Sequence, residues 1–521
     1  MDIISIQNQV KVEGAASLRR PGAILLISCY ELGHQPVGIA QPMGFLKQAG
    51  YAPAALDIAV EAFDAERVKQ ASFIGISVPM HTALRLGVRV AELIREVNPA
   101  CHLCIFGLYA SINAEYLLSH VADSVIGGEY ETPLVNLVHA LDRDPLTIRS
   151  ISGEKDGQGE KELPAIEGVS LRGRIVSPLL KRFPVDAPAP NRAALLPLTR
   201  YAHLEHHGAT HTVGYVESSR GCLHTCLHCP IVPVYEGRFF VMPEQIVLQD
   251  IRQQVAAGAT HITFGDPDFL NGPGHSLSIV RAMHAEFPHL TFDFTAKIEH
   301  LLKRRAMIPE FAALSCLFVI SAVESFSDVV LAQLKKGHTA GDVVTAMNML
   351  RDAGITLRPS LVAFTPWTTL ADYAAMFDIV ETHDLIDAID PVQYAIRLLI
   401  PPGSALLGQP EQPGSVEKFV GALDQAGFQY PWTHPDPRMD ALHRDISLAV
   451  EEAAKSAEDP FETFDRLRAI TYRIAGRDEP MALRSSRRSR QNRPPRMSEP
   501  WFCCAEPTRD QLVGLQPNCS H

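Results

Sequence analysis

Three cysteines stand within eight residues of one another, in Ser219-Arg220-Gly221-Cys222-Leu223-His224-Thr225-Cys226-Leu227-His228-Cys229-Pro230. The spacing is C-x3-C-x2-C. Three thiolates so placed can hold three corners of a cubane iron–sulfur cluster and leave the fourth iron open. An open iron can do chemistry, whereas a fully ligated cluster mainly stores or passes electrons. The competing reading is a structural zinc knot. Zinc usually takes four protein ligands, often as two C-x2-C pairs, and no second pair lies near. The residues Thr212–Glu217 read as a strand that delivers the loop, and Pro230 ends it.

The segment resembles the signature of the radical S-adenosylmethionine (SAM) enzymes. The resemblance implies a [4Fe-4S] cluster on Cys222, Cys226 and Cys229. It further implies that the open iron chelates the amino and carboxylate groups of SAM, and that one electron then cleaves a C–S bond to release a carbon radical. Flavodoxin or ferredoxin is the implied class of electron donor.

The rest of the chain must position this loop. At 521 residues there is room for two or three domains of roughly 100–200 residues. The chain is 46% hydrophobic and 20% charged, with a net charge of −12, which argues against nucleic-acid binding by bulk electrostatics. No apolar run approaches the ~20 residues needed to span a bilayer, and the first twenty residues lack the apolar core of a signal peptide. Ten cysteines spread over so long a chain, and clustered where a metal would need them, point to a reducing cytoplasm.

Strand and helix patterns alternate over 21–145, as in a doubly wound α/β domain. Proposed strands are 22–28, 73–78, 102–106 and 124–126. Ligands in such folds sit beyond the carboxyl ends of the strands. Gly107-Leu108-Tyr109-Ala110-Ser111 and Gly127-Gly128-Glu129-Tyr130-Glu131 make this block resemble the cobalamin-binding domain that precedes many radical SAM cores. The base-off signature Asp-x-His-x-x-Gly is absent; His34 is a candidate cobalt ligand with an ordinary polar loop residue the alternative, so cobalamin is a possible cofactor and a relic packing domain the alternative. Polar residues over 146–205 read as a linker.

Strands and helices alternate again over 206–410. Strands are expected at 212–217, 261–264, 291–295, 317–320, 356–362 and 392–399. Six units match the partial (β/α)6 barrel of radical SAM proteins, with active groups at the carboxyl ends of the strands. By the resemblance, Asp266 and Asp268 contact the SAM amino group, although the usual Gly-Gly-Glu form is missing; a proline turn capped by Asp is the alternative. Ser321-Ala322-Val323-Glu324-Ser325 resembles the family's Gly-x-Glu-Ser segment, which implies that Glu324 and Ser325 line the SAM site. Arg358 and Arg397 are candidates for its carboxylate, since a guanidinium fork suits that group, or else structural ion pairs. Tyr215 and Arg238-Phe239-Phe240 are candidates for the walls around the cluster and adenine, and Lys297 is a candidate to meet a carboxylate or a developing negative charge, with a plain surface residue the alternative.

A helical accessory region is expected over 411–480, and an arginine-rich flexible tether with a tail over 481–521. The tail holds Trp501-Phe502-Cys503-Cys504-Ala505-Glu506-Pro507. Vicinal thiols suit soft partners; two buried packing cysteines are the alternative. This ending resembles a radical SAM group named for its Cys/Sec-Cys-Ala-Glu-Pro tail and similar to the arsinothricin-pathway enzymes. The resemblance implies transfer of a SAM-derived 3-amino-3-carboxypropyl group to a thiophilic acceptor such as arsenite, held by Cys503 and Cys504 and also by Cys519. Two other functions remain open: a cobalamin-dependent radical SAM methyltransferase, and a non-enzymatic Fe-S or soft-metal sensor.

Overall fold

The computed structural model describes residues 17–143, 164–409, 414–478 and 493–499. The first sheet contains β1 (Ile24–Ser28), β2 (Ala54–Asp57), β3 (Phe73–Ser77), β4 (His102–Phe106), β5 (Ser124–Ile126) and β6 (Val169–Leu171). Its order is β2-β1-β3-β4-β5-β6. The first five are parallel; β6 runs antiparallel to β5. β1, β3, β4 and β5 are buried along their whole length, as expected when helices cover both faces of a parallel sheet. The helix His81–Val97, for example, buries Leu84, Val88 and Ala91 against it.

The segment expected to be a linker makes ordered contacts at several of its described residues. β6 lies inside it, Asn191 N donates to Ala40 O, and Arg192 forms a buried ion pair with Asp250 at 2.8 Å. Its polar composition hid a three-residue strand between two glycines, Gly168 and Gly173, both at positive φ.

The second sheet comprises β7 (His203–His206), β8 (Ala209–Val216), β11 (His261–Phe264), β12 (Thr291–Thr295), β13 (Cys316–Glu324), β14 (Thr356–Leu361) and β15 (Arg496–Met497). Between β8 and β11 lie β9 (Ser219–Gly221) and β10 (Phe239–Val241), a small antiparallel pair. The order of the large sheet is β14-β13-β12-β11-β8-β7-β15. Five strands, β8 to β14, are parallel and curl into a half-barrel. The sixth expected strand is not one. Residues Pro391–Ala395 form a 3-10 turn, and the following stretch makes a single bridge, Phe364 to Arg397. Proline at 391 removes a ladder donor. Gln393 instead turns its side-chain carbonyl to the Leu361 N–H at the end of β14.

Phe264, Phe269, Phe292, Phe294 and Phe311 interlock in the core behind the sheet at centroid distances of 4.5 to 6.4 Å. Capping boxes start the helices Ala340–Asp352 (Thr339, Asp342) and Leu370–Thr382 (Thr369, Asp372), each satisfying two orphan donors. The expected carboxyl-terminal helices are present as Pro437–Ser456 and Pro460–Ala475. β15 pairs antiparallel with β7. Among the described residues no helix is long and apolar enough to cross a membrane. The arginines at 484, 487, 488 and 490, and the tail cysteines 503, 504 and 519, lie outside the described residues.

Candidate functional site

The carboxyl ends of both parallel sheets open onto one cavity of about 340 Å3. From the first sheet come His34 after β1, Pro79 and Met80 after β3, Leu108 and Tyr109 after β4, and Gly128 and Tyr130 after β5. From the half-barrel come the cysteine loop after β8, the Gly265–Asp268 turn after β11, Lys297 after β12, and Glu324 at the end of β13.

Cys222, Cys226 and Cys229 all line this cavity. Their loop is held by backbone bonds: Cys222 N donates to Arg238 O, Leu227 N to Leu334 O and Cys229 N to Cys226 O. None of the seven described cysteines forms a disulfide. Burial pushes the Cys222 thiol up to about 11, so it ionises only with a strong positive charge beside it, which a metal provides. Three soft donors on one tight loop, open to a cavity, fit a cubane cluster with one free iron.

Gly221 makes the turn into this loop possible. Its φ is +77°, and a Cβ there would lie 2.4 Å from Arg238 O and 2.5 Å from the Tyr235 ring. Left-handed strain and such a clash cost about 1–3 kcal/mol each. Gly221→Ala is therefore expected to lower the thermal midpoint and the iron bound per chain after anaerobic reconstitution. Iron content and melting temperature equal to wild type would contradict this role.

Glu324 is 7% exposed and sits at φ +66°, a conformation that costs a non-glycine residue free energy and occurs often at functional sites. His228 Nε2 donates to its Oε1 at 3.1 Å and Lys336 Nζ at 3.2 Å. Burial alone would raise this carboxyl, but Lys336 and His228 outweigh it and hold it at about 2. Glu324 thus enters the cavity ionised, beside a lysine that also faces Cys226 and Cys229.

The other candidates divide. Asp266 lines the cavity, yet its oxygens accept from Ser218 N, Ser218 Oγ and Ser219 Oγ; it fastens the cysteine loop to β11. Asp268 lines the cavity and accepts from His300 Nδ1 at 2.8 Å and from His224 Nε2 at 3.3 Å. Ser325 Oγ accepts from Ser327 N and so serves the turn behind β13. Arg358 and Arg397 are not brought to the cavity. Arg358 pairs with Asp390 at 2.9 Å and donates to Pro495 O. Arg397 pairs with Asp440 at 2.9 Å and lies 3.6 Å over the Trp432 ring. Both arginines tie the carboxyl-terminal region to the barrel, because Asp390 and Asp440 reach them first.

Three residues escaped the sequence reading as parts of the site. His228 and Arg220 stand within the cysteine segment without an assigned role, and Lys336 follows the Glu324 segment by twelve residues. Arg220 Nη1 lies 2.7 Å from Glu131 and 3.4 Å from Glu129, and its Nε 2.9 Å from Glu217. The charge in Ser219-Arg220-Gly221 was a usable signal, since a charged residue in a short buried strand needs a partner.

The first-sheet wall is apolar and glycine-rich. Gly107 and Gly128 both have positive φ, and a Cβ would meet the Val78 backbone at 3.1 Å and Leu179 O at 2.2 Å. His34 stacks on Tyr215 at 4.5 Å, and burial depresses it to about 3. A neutral imidazole and apolar loops at the strand ends fit the face of a large planar cofactor such as cobalamin.

Residues 216–366 match the radical SAM superfamily. Among curated proteins, the hopanoid C-3 methylase of Methylococcus capsulatus is 24% identical over 283 residues, covering 54% of this chain and 50% of that protein. The tRNA-2-methylthio-N(6)-dimethylallyladenosine synthase of Desulfosudis oleivorans is 26% identical over 198 residues, covering 36% of this chain and 42% of that protein. The chain thus spans half or less of the length of these relatives. Among solved structures, the cobalamin-dependent SAM radical enzyme OxsB, with aqua-cobalamin and SAM bound, superposes with TM-score 0.65 at 14% identity, covering 87% of this chain and 70% of that one. The radical SAM methyltransferase TsrM from Kitasatospora setae superposes with TM-score 0.54 at 16% identity, covering 69% and 71%. A match to the radical SAM superfamily over residues 216–366 thus lies within a chain that shares the fold of the solved enzymes OxsB and TsrM.

Proposed function

We propose that this chain is a cobalamin-using radical SAM transferase that moves a SAM-derived group to a small-molecule acceptor. One observation carries the reading: a single cavity is walled on one side by the strand-end loops of the first sheet and on the other by Cys222, Cys226 and Cys229. In such a site the cluster supplies the electron that cleaves SAM, and cobalamin supplies a carrier for the transferred group. The chain's own residues hold and orient. Glu324, ionised by Lys336 and His228, is an acceptor-only group suited to the SAM ribose hydroxyls. Tyr215, Tyr130 and Met80 exclude water from a radical. A flavodoxin or ferredoxin is the proposed electron donor, and the reducing cytoplasm the proposed setting.

A second reading concerns the acceptor. β15 carries the chain to Glu499, whose Oε1 accepts from Tyr30 OH at 2.7 Å. Glu499 and Met497 border a recess that shares Ile320, Ser360 and Gln393 with the main cavity. Cys503 follows four residues later in the sequence. This supports an acceptor held by Cys503 and Cys504, and a thiophilic one such as arsenite taking a 3-amino-3-carboxypropyl group is the specific form of that reading.

Anaerobic reconstitution with SAM, dithionite and hydroxocobalamin tests both. About one cobalamin retained per chain, with 5′-deoxyadenosine and a methylated product, supports the first reading. Formation of 5′-methylthioadenosine without bound cobalt overturns it in favour of aminocarboxypropyl transfer. Cys503→Ser with Cys504→Ser should keep the cluster and lose product; unchanged turnover removes the tail from the site. No SAM cleavage under reductant would leave the sensor reading.

A further inference from the structure

Three side chains from three separate segments converge at the cysteine motif: His224 between Cys222 and Cys226, Asp268 after β11, and His300 on the helix Ile298–Lys303. From their geometry we propose that His224 Nε2, Asp268 Oδ2 and His300 Nδ1 form a second metal site, for a single divalent first-row cation, distinct from the cluster.

The donor triangle is the argument. The separations are 3.3 Å (His224 to Asp268), 2.8 Å (Asp268 to His300) and 3.4 Å (His224 to His300). Ligands about 2.0–2.2 Å from one cation, as for zinc, lie about 3.0–3.5 Å apart at octahedral or tetrahedral angles. The triangle is therefore already near the size that one ion would impose. Two imidazoles and one carboxylate on a face are a borderline-hard set that suits Zn2+, Fe2+ or Co2+ and leaves positions open for water or substrate oxygens. Those positions face the cavity, since His224 and Asp268 both line it.

Without an ion the same atoms are crowded. Lys297 Nζ has only donors and stands 3.2 Å from His224 Nδ1, so Nδ1 accepts and Nε2 carries the proton. His300 Nδ1 also donates to Asp268 Oδ2, and so does the Lys297 backbone N–H at 3.3 Å. Three N–H groups thus converge on one carboxylate oxygen. A cation would use the lone pairs of both imidazoles instead. It would move the His224 proton to Nδ1, so Lys297 Nζ, 3.2 Å from that nitrogen, would turn to its pair with Glu299 at 3.3 Å, and Glu299 Oε2 would close in from 3.7 Å to accept from Nδ1. A carboxylate behind a ligating histidine is the usual support of such a site.

The test uses the cluster-loaded full-length protein under anaerobic conditions, dialysed to equilibrium against Zn2+ and separately against Co2+. Wild type should take up one more equivalent than His300→Ala or Asp268→Asn at equal iron and sulfide content, with affinity lowered at least about tenfold in each variant. The Co2+ of the extra equivalent should show weak d–d bands without thiolate charge transfer. Equal uptake by all three proteins, or an extra equivalent with thiolate bands, overturns the proposal. Iron and sulfide content report the cluster separately, so loss of this site is distinguishable from failure of the radical SAM reading.

Discussion

Cys226→Ser should abolish the cluster and cut reductive SAM cleavage at least about 10³-fold, a loss of about 4 kcal/mol of barrier lowering. The expectation rests on how the three thiols are held. Cys226 is the most buried of them at 7% exposure, and its neighbour Leu227 is pinned through its backbone N–H to Leu334 O. Serine keeps the shape of the side chain but replaces a soft sulfur donor with a hydroxyl that binds iron poorly. Nor can the loop shift to compensate. Gly221 is clamped against Arg238 and Tyr235, and the remaining described cysteines, Cys29, Cys101, Cys104 and Cys316, are buried in the two cores. Iron and sulfide content, the visible absorption of the reconstituted protein and the yield of nucleoside products check it. Wild-type cluster content or wild-type cleavage in the variant would remove Cys226 from the ligand set.

The features legible in the sequence were contiguous. The cysteine loop is twelve residues that carry their own chemistry. The strands expected at 102–106, 124–126, 261–264 and 291–295 appear with those bounds, because a buried parallel strand is a continuous apolar run. What was not legible depended on partners far away in the chain. β15 is two residues long and exists only because β7 offers an edge. Arg358 and Arg397 bear the right group for a SAM carboxylate, but Asp390 and Asp440 claim them. Asp268 is the converse case: it was expected at the site, yet its partners His224 and His300 are 44 and 32 residues away, and no periodicity announces them. Spacing reveals ligands that share a loop; ligands that share only a cavity require the fold.

Arg220 offers the second large effect, this time on stability. Arg220→Met should destabilise the protein by about 3–5 kcal/mol near neutral pH, the usual result of removing one partner from a buried ionic group. Its guanidinium is enclosed by Glu129, Glu131 and Glu217, with the Tyr130 ring 5.0 Å away. Glu129 and Glu131 follow β5 in the first sheet, whereas Arg220 lies two residues before Cys222, so the cluster links the two walls of the cavity. Tyr235 adds a hydrogen bond to Glu129 at 2.9 Å. The pH dependence is diagnostic. Burial raises the Glu129 carboxyl, and Arg220 is the largest influence opposing it. Without the arginine, the folded state holds the Glu129 proton still more strongly than the unfolded chain does. Stability then rises as pH falls toward the unfolded carboxylate value of about 4.3, and the deficit relative to wild type narrows. In wild type the two senses compete: burial lifts Glu31 to about 8 and Asp57 and Asp266 to about 6, so each costs most above its folded value and less as pH falls, whereas His34, His102, His338 and His443, held by burial below the usual imidazole value, cost more as pH falls below about 6.5; the difference between the two proteins isolates Arg220. Urea denaturation of both proteins from pH 5 to 8 measures this. A variant as stable as wild type at pH 7.5, or a deficit that widens on acidification, would show that the three carboxylates do not depend on Arg220 for their charge. The expected pattern would instead establish that the wall facing the cysteine loop is held to it by charge, two residues from the first thiol.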